Sequence, residues 1–105
     1  MSEKFTLEQL FESLKTKAAQ NHNNSYTAIL NRGGVEKITR IVGEEALEVV
    51  IASFINDKNN SDKNRQELTG EICDLFYHTL VLMINQKIEF SEILDELNKR
   101  NKIKK

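Results

Sequence analysis

No proline interrupts this 105-residue chain, and only four glycines occur in it. Proline removes a backbone donor and clashes with the preceding helical turn, so its absence leaves long helices unbroken. An all-α fold is favoured over a turn-rich β fold. Apolar residues make up 39% of the chain and charged residues 30%, the balance of a folded globular protein rather than a disordered one. The length fits a single domain, residues 1–105, with a core from about 5 to about 100. A domain of this size buries a modest share of its surface, so self-association is an expected source of further stability.

Apolar periodicity predicts four principal helices. The first begins near Thr6, a candidate N-cap with Gln9 placed to complete a capping box and Phe5 and Leu10 placed as a hydrophobic staple. Leu7, Leu10, Phe11 and Leu14 form its apolar face, and Asn21 to Asn24 follow as a polar loop. Ser25–Asn31 is expected to be a short helix or a structured turn, ended by Gly33 and Gly34. The second helix is predicted over Val35–Ile55, with Ile38, Val42, Val49 and Ala52 inward and Ile41 on the flank. After a polar loop over Asn56–Ser61, the third runs over Asp62–Gln86. It is apolar nearly all round from Ile72 to Ile84, and so is expected to be the most buried element. A turn near Lys87–Phe90 leads to a fourth helix carrying Ile93, Leu94 and Leu97, and then to a basic tail, Lys99–Lys105. Short connections make neighbouring helices antiparallel. The expected architecture is a four-helix, bundle-like domain completed by dimerisation, because four short helices leave an apolar face open.

Several function classes are excluded or disfavoured. A formal net charge of −1 argues against a nucleic-acid partner. Cys73 is the sole cysteine, so no intramolecular disulfide forms and a reducing compartment is expected, with Cys73 a small core residue. No apolar run reaches the roughly 18 residues of a membrane span, and no leader opens the chain, so a cytoplasmic location with no membrane partner is expected. The glycines form neither a P-loop nor a dinucleotide fingerprint.

Within this apolar pattern stand two matching pairs of carboxylates. Glu45 and Glu48 are three residues apart on the second helix, and Glu71 and Asp74 are three apart on the third. Residues three apart share a helix face. At about 100° per residue, Glu45 points into the middle of the arc of Ile38, Val42, Val49 and Ala52, while Glu48 lies on its rim and Glu44 further round. Glu67, Glu71, Asp74 and His78 make one stripe on the third helix. If the two helices pack, four acids converge where apolar groups belong, and like charges there need a positive neutraliser. A hard divalent cation, Mg²⁺ foremost, suits an all-oxygen site. The alternative is a set of ion pairs with Lys37, Arg40 or Arg65. Lys37 can hold a phosphate as a point charge or be a surface lysine. His78 can neighbour the metal, donate to substrate, or be a satisfied core histidine.

The runs Gly43-Glu44-Glu45-Ala46-Leu47-Glu48-Val49-Val50 and Glu71-Ile72-Cys73-Asp74-Leu75-Phe76-Tyr77-His78 resemble the all-α nucleotide pyrophosphohydrolases of the MazG-like superfamily. Their signature is E-x-x-E followed by E-x-x-D. Within it, Ser25-Tyr26-Thr27, Gly34-Val35-Glu36-Lys37-Ile38 and Asp74-Leu75-Phe76-Tyr77-His78 are similar to the phosphoribosyl-ATP pyrophosphatase family of histidine biosynthesis, in its stand-alone form. The chain departs from that pattern at Asn31-Arg32-Gly33 and in a longer Asn56–Asn64 loop. The resemblance implies Mg²⁺-dependent hydrolysis of 1-(5-phosphoribosyl)-ATP to 1-(5-phosphoribosyl)-AMP and pyrophosphate. It implies Glu45, Glu48, Glu71 and Asp74 as metal ligands, with Glu44 and Glu45 as catalytic residues and Glu44 the candidate outer-sphere ligand or base. Lys37, Ser25, Tyr26, Thr27 and His78 are then candidate substrate contacts, and a homodimer is the expected assembly. Housekeeping hydrolysis of dUTP, dCTP or non-standard nucleotides is the competing activity, since the acidic signature is shared. A helical interaction module without enzymatic activity is the other.

Overall fold

The computed structural model describes residues 4–20 and 25–104. Among the described residues there are five helices and no strand: α1 (Leu7–Ala19), α2 (Tyr26–Gly33), α3 (Val35–Lys58), α4 (Asp62–Asn85) and α5 (Phe90–Lys104). The chain is all-α as expected, with one helix more than the four principal ones, because the short segment after Ser25 is fully helical. The polar loop expected at Asn21–Asn24 lies outside the described residues.

Local chemistry sets the helix ends. The Thr6 hydroxyl accepts from the Gln9 backbone and the Gln9 side chain accepts from the Thr6 backbone at 2.9 Å, a complete capping box. Phe5 remains 71% exposed, so the staple expected with Leu10 buries little. Ser25 caps α2 and Ser61 caps α4, accepting from the backbones of Ala28 and Asn64. Gly34, at φ 91° and ψ 174°, turns the chain from α2 directly into α3. That backbone region is essentially reserved to glycine. Helix α3 continues past Ile55 to Lys58, which shortens the expected loop. The Asn59 backbone donates to Ile55, and the Asn64 side chain donates to the Asn59 carbonyl, closing the tip.

Helices α3 and α4 form a long antiparallel hairpin, and the core sits at one end of it. Phe11 and Leu14 of α1, Leu30 of α2, Ile38 of α3 and Leu80, Val81 and Met83 of α4 make one cluster. Burying Phe11, Leu30, Ile38 or Val81 completely stabilises the fold by about 1.5–3 kcal/mol each. Phe90 packs on Phe11 with ring centroids 5.9 Å apart, and the Lys15–Glu89 ion pair joins α1 to the turn before α5.

The expectation that α4 is buried from Ile72 onward needs correcting. Full burial begins only at His78, while Ile72 and Phe76 keep 36% and 48% of their surface. Cys73 is exposed, not a core residue. The reason is geometric: α1 and α2 cover only the end of the hairpin that carries Ile38 and Val81. On α3, Leu47, Val50 and Phe54 form an exposed apolar stripe. On α5, Ser91 through Lys102 are all exposed, including Ile93, Leu94 and Leu97. The chain exposes 7959 Å², whereas a compact monomer of 12.1 kDa exposes about 6,000 Å².

Gly34→Ala places a side chain where the backbone is at positive φ, and is expected to cost about 1–3 kcal/mol in urea unfolding. Gly70→Ala, inside α4 with open space around the added methyl group, is expected to gain about 0.5–1 kcal/mol in the same measurement.

Candidate metal centre and active site

Packing of α3 against α4 carries the two acid pairs to the same level of the hairpin. One carboxylate oxygen each from Glu45, Glu71 and Asp74 lie within 4.8 Å of one another. Glu48 stands outside that cluster, one turn on along α3, near enough for its charge to act on both Glu45 and Glu71. The expectation that Glu45 faces inward holds, with only 13% of its side chain exposed. Glu48 is exposed on the rim, as its helical angle requires.

No ion pair joins Lys37, Arg40 or Arg65 to these acids among the described residues. The electrostatic consequence falls on the carboxyls themselves. Glu45 is pushed up to about 7, first by burial, then by the neighbouring Glu48 carboxyl and the charges of Asp74 and Glu71. Glu71 is raised by desolvation and then by Glu48, Asp74 and Glu67. An all-oxygen, anionic donor set of this kind suits a hard divalent cation. Beside it, a cleft of about 150 Å³ runs toward the hairpin tip, with Glu48, Glu67 and Glu71 on its acidic side and Ile51, Ala52 and Ile55 on its apolar side.

The remaining candidate residues divide sharply. Glu44 is exposed and borders the same surface as Glu45 and Glu48. Lys37 lies about 12 Å before Glu45 along the axis of α3, with its aliphatic stem over Gly33. The Ser25 hydroxyl is committed to capping α2. Thr27 is buried, and its hydroxyl lies 2.6 Å from the Tyr77 hydroxyl. His78 is also buried, with Nε2 3.0 Å from the Tyr26 hydroxyl and Nδ1 3.2 Å from a Glu45 oxygen. Burial pushes the Tyr26 hydroxyl above its ordinary range, aided by Tyr77, Glu45 and Asp74, so it stays protonated at neutral pH. Tyr77 was not among the sequence candidates. It stands in the Asp74–His78 run that carries the family resemblance, but nothing in periodicity reveals that Thr27 and Tyr26 of another helix meet it.

A carboxyl that binds its proton more tightly in the folded chain than in the unfolded one contributes stability at low pH and loses it as pH rises through its folded value. With Glu45 raised to about 7, the metal-free protein is expected to melt at progressively lower temperature as pH goes from about 5 to about 8. Glu45→Gln should flatten that dependence, as read from thermal melts in the presence of a chelator.

Residues 7–101 match the family model described as phosphoribosyl-ATP pyrophosphohydrolase. The chain is 38% identical to the phosphoribosyl-ATP pyrophosphatase of Clostridium novyi (strain NT), over 91% of this chain and 81% of the relative. It is 46% identical to the phosphoribosyl-ATP pyrophosphatase of Listeria monocytogenes serotype 4b (strain CLIP80459), over 90% of this chain and 84% of the relative. It is 41% identical to the histidine biosynthesis bifunctional protein HisIE of Caldanaerobacter subterraneus subsp. tengcongensis, over 91% of this chain but 43% of that longer relative. Matches of this extent, reaching from the first turn of α1 into α5 and spanning both acid pairs, place the chain in the phosphoribosyl-ATP pyrophosphohydrolase family.

Proposed function

We propose that the protein hydrolyses 1-(5-phosphoribosyl)-ATP to 1-(5-phosphoribosyl)-AMP and pyrophosphate, the second step of histidine biosynthesis, with Mg²⁺ as cofactor. The observation that carries this reading is the coincidence of the family match with the convergence of Glu45, Glu71 and Asp74 across the α3–α4 hairpin. These three residues and Glu48 would hold the cation. The chemistry such a cation supplies when bound is Lewis-acid polarisation of phosphoryl oxygens and a lowered pKa for water. Glu44, exposed beside Glu45 and Glu48, would be the base that receives a proton from water, or an outer partner of the metal ligands. Lys37, on a flexible stem further back along α3, can meet the far end of an extended phosphate chain as a point charge. Tyr26 keeps about half of its surface exposed and can touch substrate, whereas Ser25 and Thr27 serve by capping α2 and holding Tyr77. No described helix is long and apolar enough to cross a membrane, in keeping with action on a dissolved metabolite in the cytoplasm.

The working form in this proposal is a homodimer. The exposed surface exceeds that of a compact monomer by about 2,000 Å² per chain, more than the roughly 800 Å² that each partner of a standard-size interface hides and in the range of an obligate dimer. The excess is apolar where it matters: Leu47, Val50 and Phe54 on α3, Ile72 and Phe76 on α4, and Ile93, Leu94 and Leu97 on α5.

Pyrophosphate release with Mg²⁺ is expected to be rapid from phosphoribosyl-ATP and slow from ATP, dUTP and dCTP. Preference for a free nucleotide would move the protein to housekeeping hydrolysis, and release from none of them would favour an interaction module. Asp74→Ala is expected to lower turnover at least about a hundredfold, since even outer partners of metal ligands are worth 10–100-fold. Light scattering is expected to give twice the chain mass, and Phe54→Glu to shift the protein toward the monomer.

A further inference from the structure

His78 is buried and hydrogen-bonded on both nitrogens, a level of definition that a substrate contact does not require. Its Nδ1 lies 2.9 Å from the Asp74 backbone carbonyl, one turn earlier on α4. A carbonyl oxygen only accepts, so Nδ1 carries the proton. Nδ1 also lies 3.2 Å from Oε1 of Glu45 on α3, so the electropositive N–H edge of the ring faces that carboxyl while the proton itself is directed at the Asp74 carbonyl. On the opposite edge, Nε2 lies 3.0 Å from the Tyr26 hydroxyl of α2. With the proton on Nδ1, a neutral ring offers a lone pair at Nε2, and Tyr26 donates to it. The Asp74 carbonyl on one edge thus selects one tautomer of the ring, and the Tyr26 hydroxyl on the other adapts to it by donating.

The ring is also gripped sterically. Tyr26 and Tyr77 stack with centroids 6.0 Å apart, and His78 meets both edge-on, at 5.9 Å and 5.0 Å. The Thr27 hydroxyl, 2.6 Å from that of Tyr77, fixes the second tyrosine. Side chains of α2 and α4 together therefore hold the Nδ1 edge of the ring beside a carboxylate of α3. That carboxylate is the most enclosed member of the acidic cluster, and its neighbours there are Glu71 and Asp74.

We propose that His78 is a positioning residue, whose Nδ1 edge, 3.2 Å from Oε1 of Glu45, orients that carboxylate toward the cation shared with Glu71 and Asp74, and that the Asp74 carbonyl on Nδ1 and the Tyr26 hydroxyl on Nε2 hold the imidazole in the tautomer and position this requires. The proposal rests on the metal centre of the preceding reading. It assigns Tyr26 and His78 a role through Glu45 rather than through contact with the phosphates. Hydrogen bonds that orient a ligating side chain tune metal affinity even though they never touch the metal.

Mn²⁺ binding to the purified full chain, followed by electron paramagnetic resonance without substrate, separates the possibilities. The wild-type protein is expected to bind Mn²⁺, and His78→Gln to bind it about tenfold more weakly. In His78→Asn the side-chain amide nitrogen can take the place of Nδ1, so that variant should recover much of the affinity. Tyr26→Phe keeps the stacked ring and removes only the hydroxyl, so it tests the relay even if the His78 variants fold poorly. It is expected to weaken Mn²⁺ by a smaller factor. Wild-type affinity in both His78→Gln and Tyr26→Phe would overturn the proposal while leaving the metal centre intact. Unchanged Mn²⁺ affinity with a raised KM for phosphoribosyl-ATP would do the same, by making His78 a substrate contact. No Mn²⁺ binding by the wild-type protein would remove the metal centre itself, and this proposal with it.

Discussion

Everything functional in this fold depends on the antiparallel register of α3 and α4. Ile38 lies in the core cluster with Val81, and Glu45 and Glu48 meet Asp74 and Glu71 further along. Both Glu48 and the Ile55 level face the α4 stretch of Asn64, Glu67 and Glu71 across the cleft. A helix of this length cannot slide by one residue against its partner without turning its acids away. The register is fixed at one end by dense packing of Phe11, Leu30, Ile38 and Val81, where any slip would open a cavity. At the other end it is fixed by the Ser61 cap and the Asn64–Asn59 hydrogen bond. The acids stand between two anchored ends, and mutual repulsion cannot drive them apart.

That arrangement explains why some features were legible in the sequence and others were not. Thr6 and Gly34 act on backbone within a few residues of themselves, so their roles follow from local spacing, whereas the caps at Ser25 and Ser61 were not among the sequence expectations. The inward turn of Glu45 follows from the apolar arc it interrupts. The burial of α4 does not follow, because an apolar face says that something covers it, not whether the cover comes from the same chain. Cys73, Ile72 and Phe76 were expected inside, yet they lie where α1 and α2 do not reach. The same limit hid the contact of Tyr26 and Thr27 with Tyr77 and His78, residues that share no helix and no periodicity. Lys37 shares a side of the helix with Glu44, but seven residues at about 1.5 Å each separate them by about 10.5 Å along the axis, so only an extended phosphate chain would meet both.

The acidic centre and the uncovered apolar surface belong to one physical problem. Four carboxylates on facing helices lower the stability of the hairpin at neutral pH, as the raised values of Glu45 and Glu71 register. The core that opposes this repulsion is small and lies to one side. Two sources can make up the difference: a cation between the helices, and a second chain over Leu47, Val50, Phe54 and Phe76. They act on the same half of the hairpin, so each should strengthen the other. A cation that draws α3 and α4 together makes the apolar stripes on their outer faces a firmer docking surface, and a partner chain that holds those faces in place lowers the cost of gathering the acids for the cation.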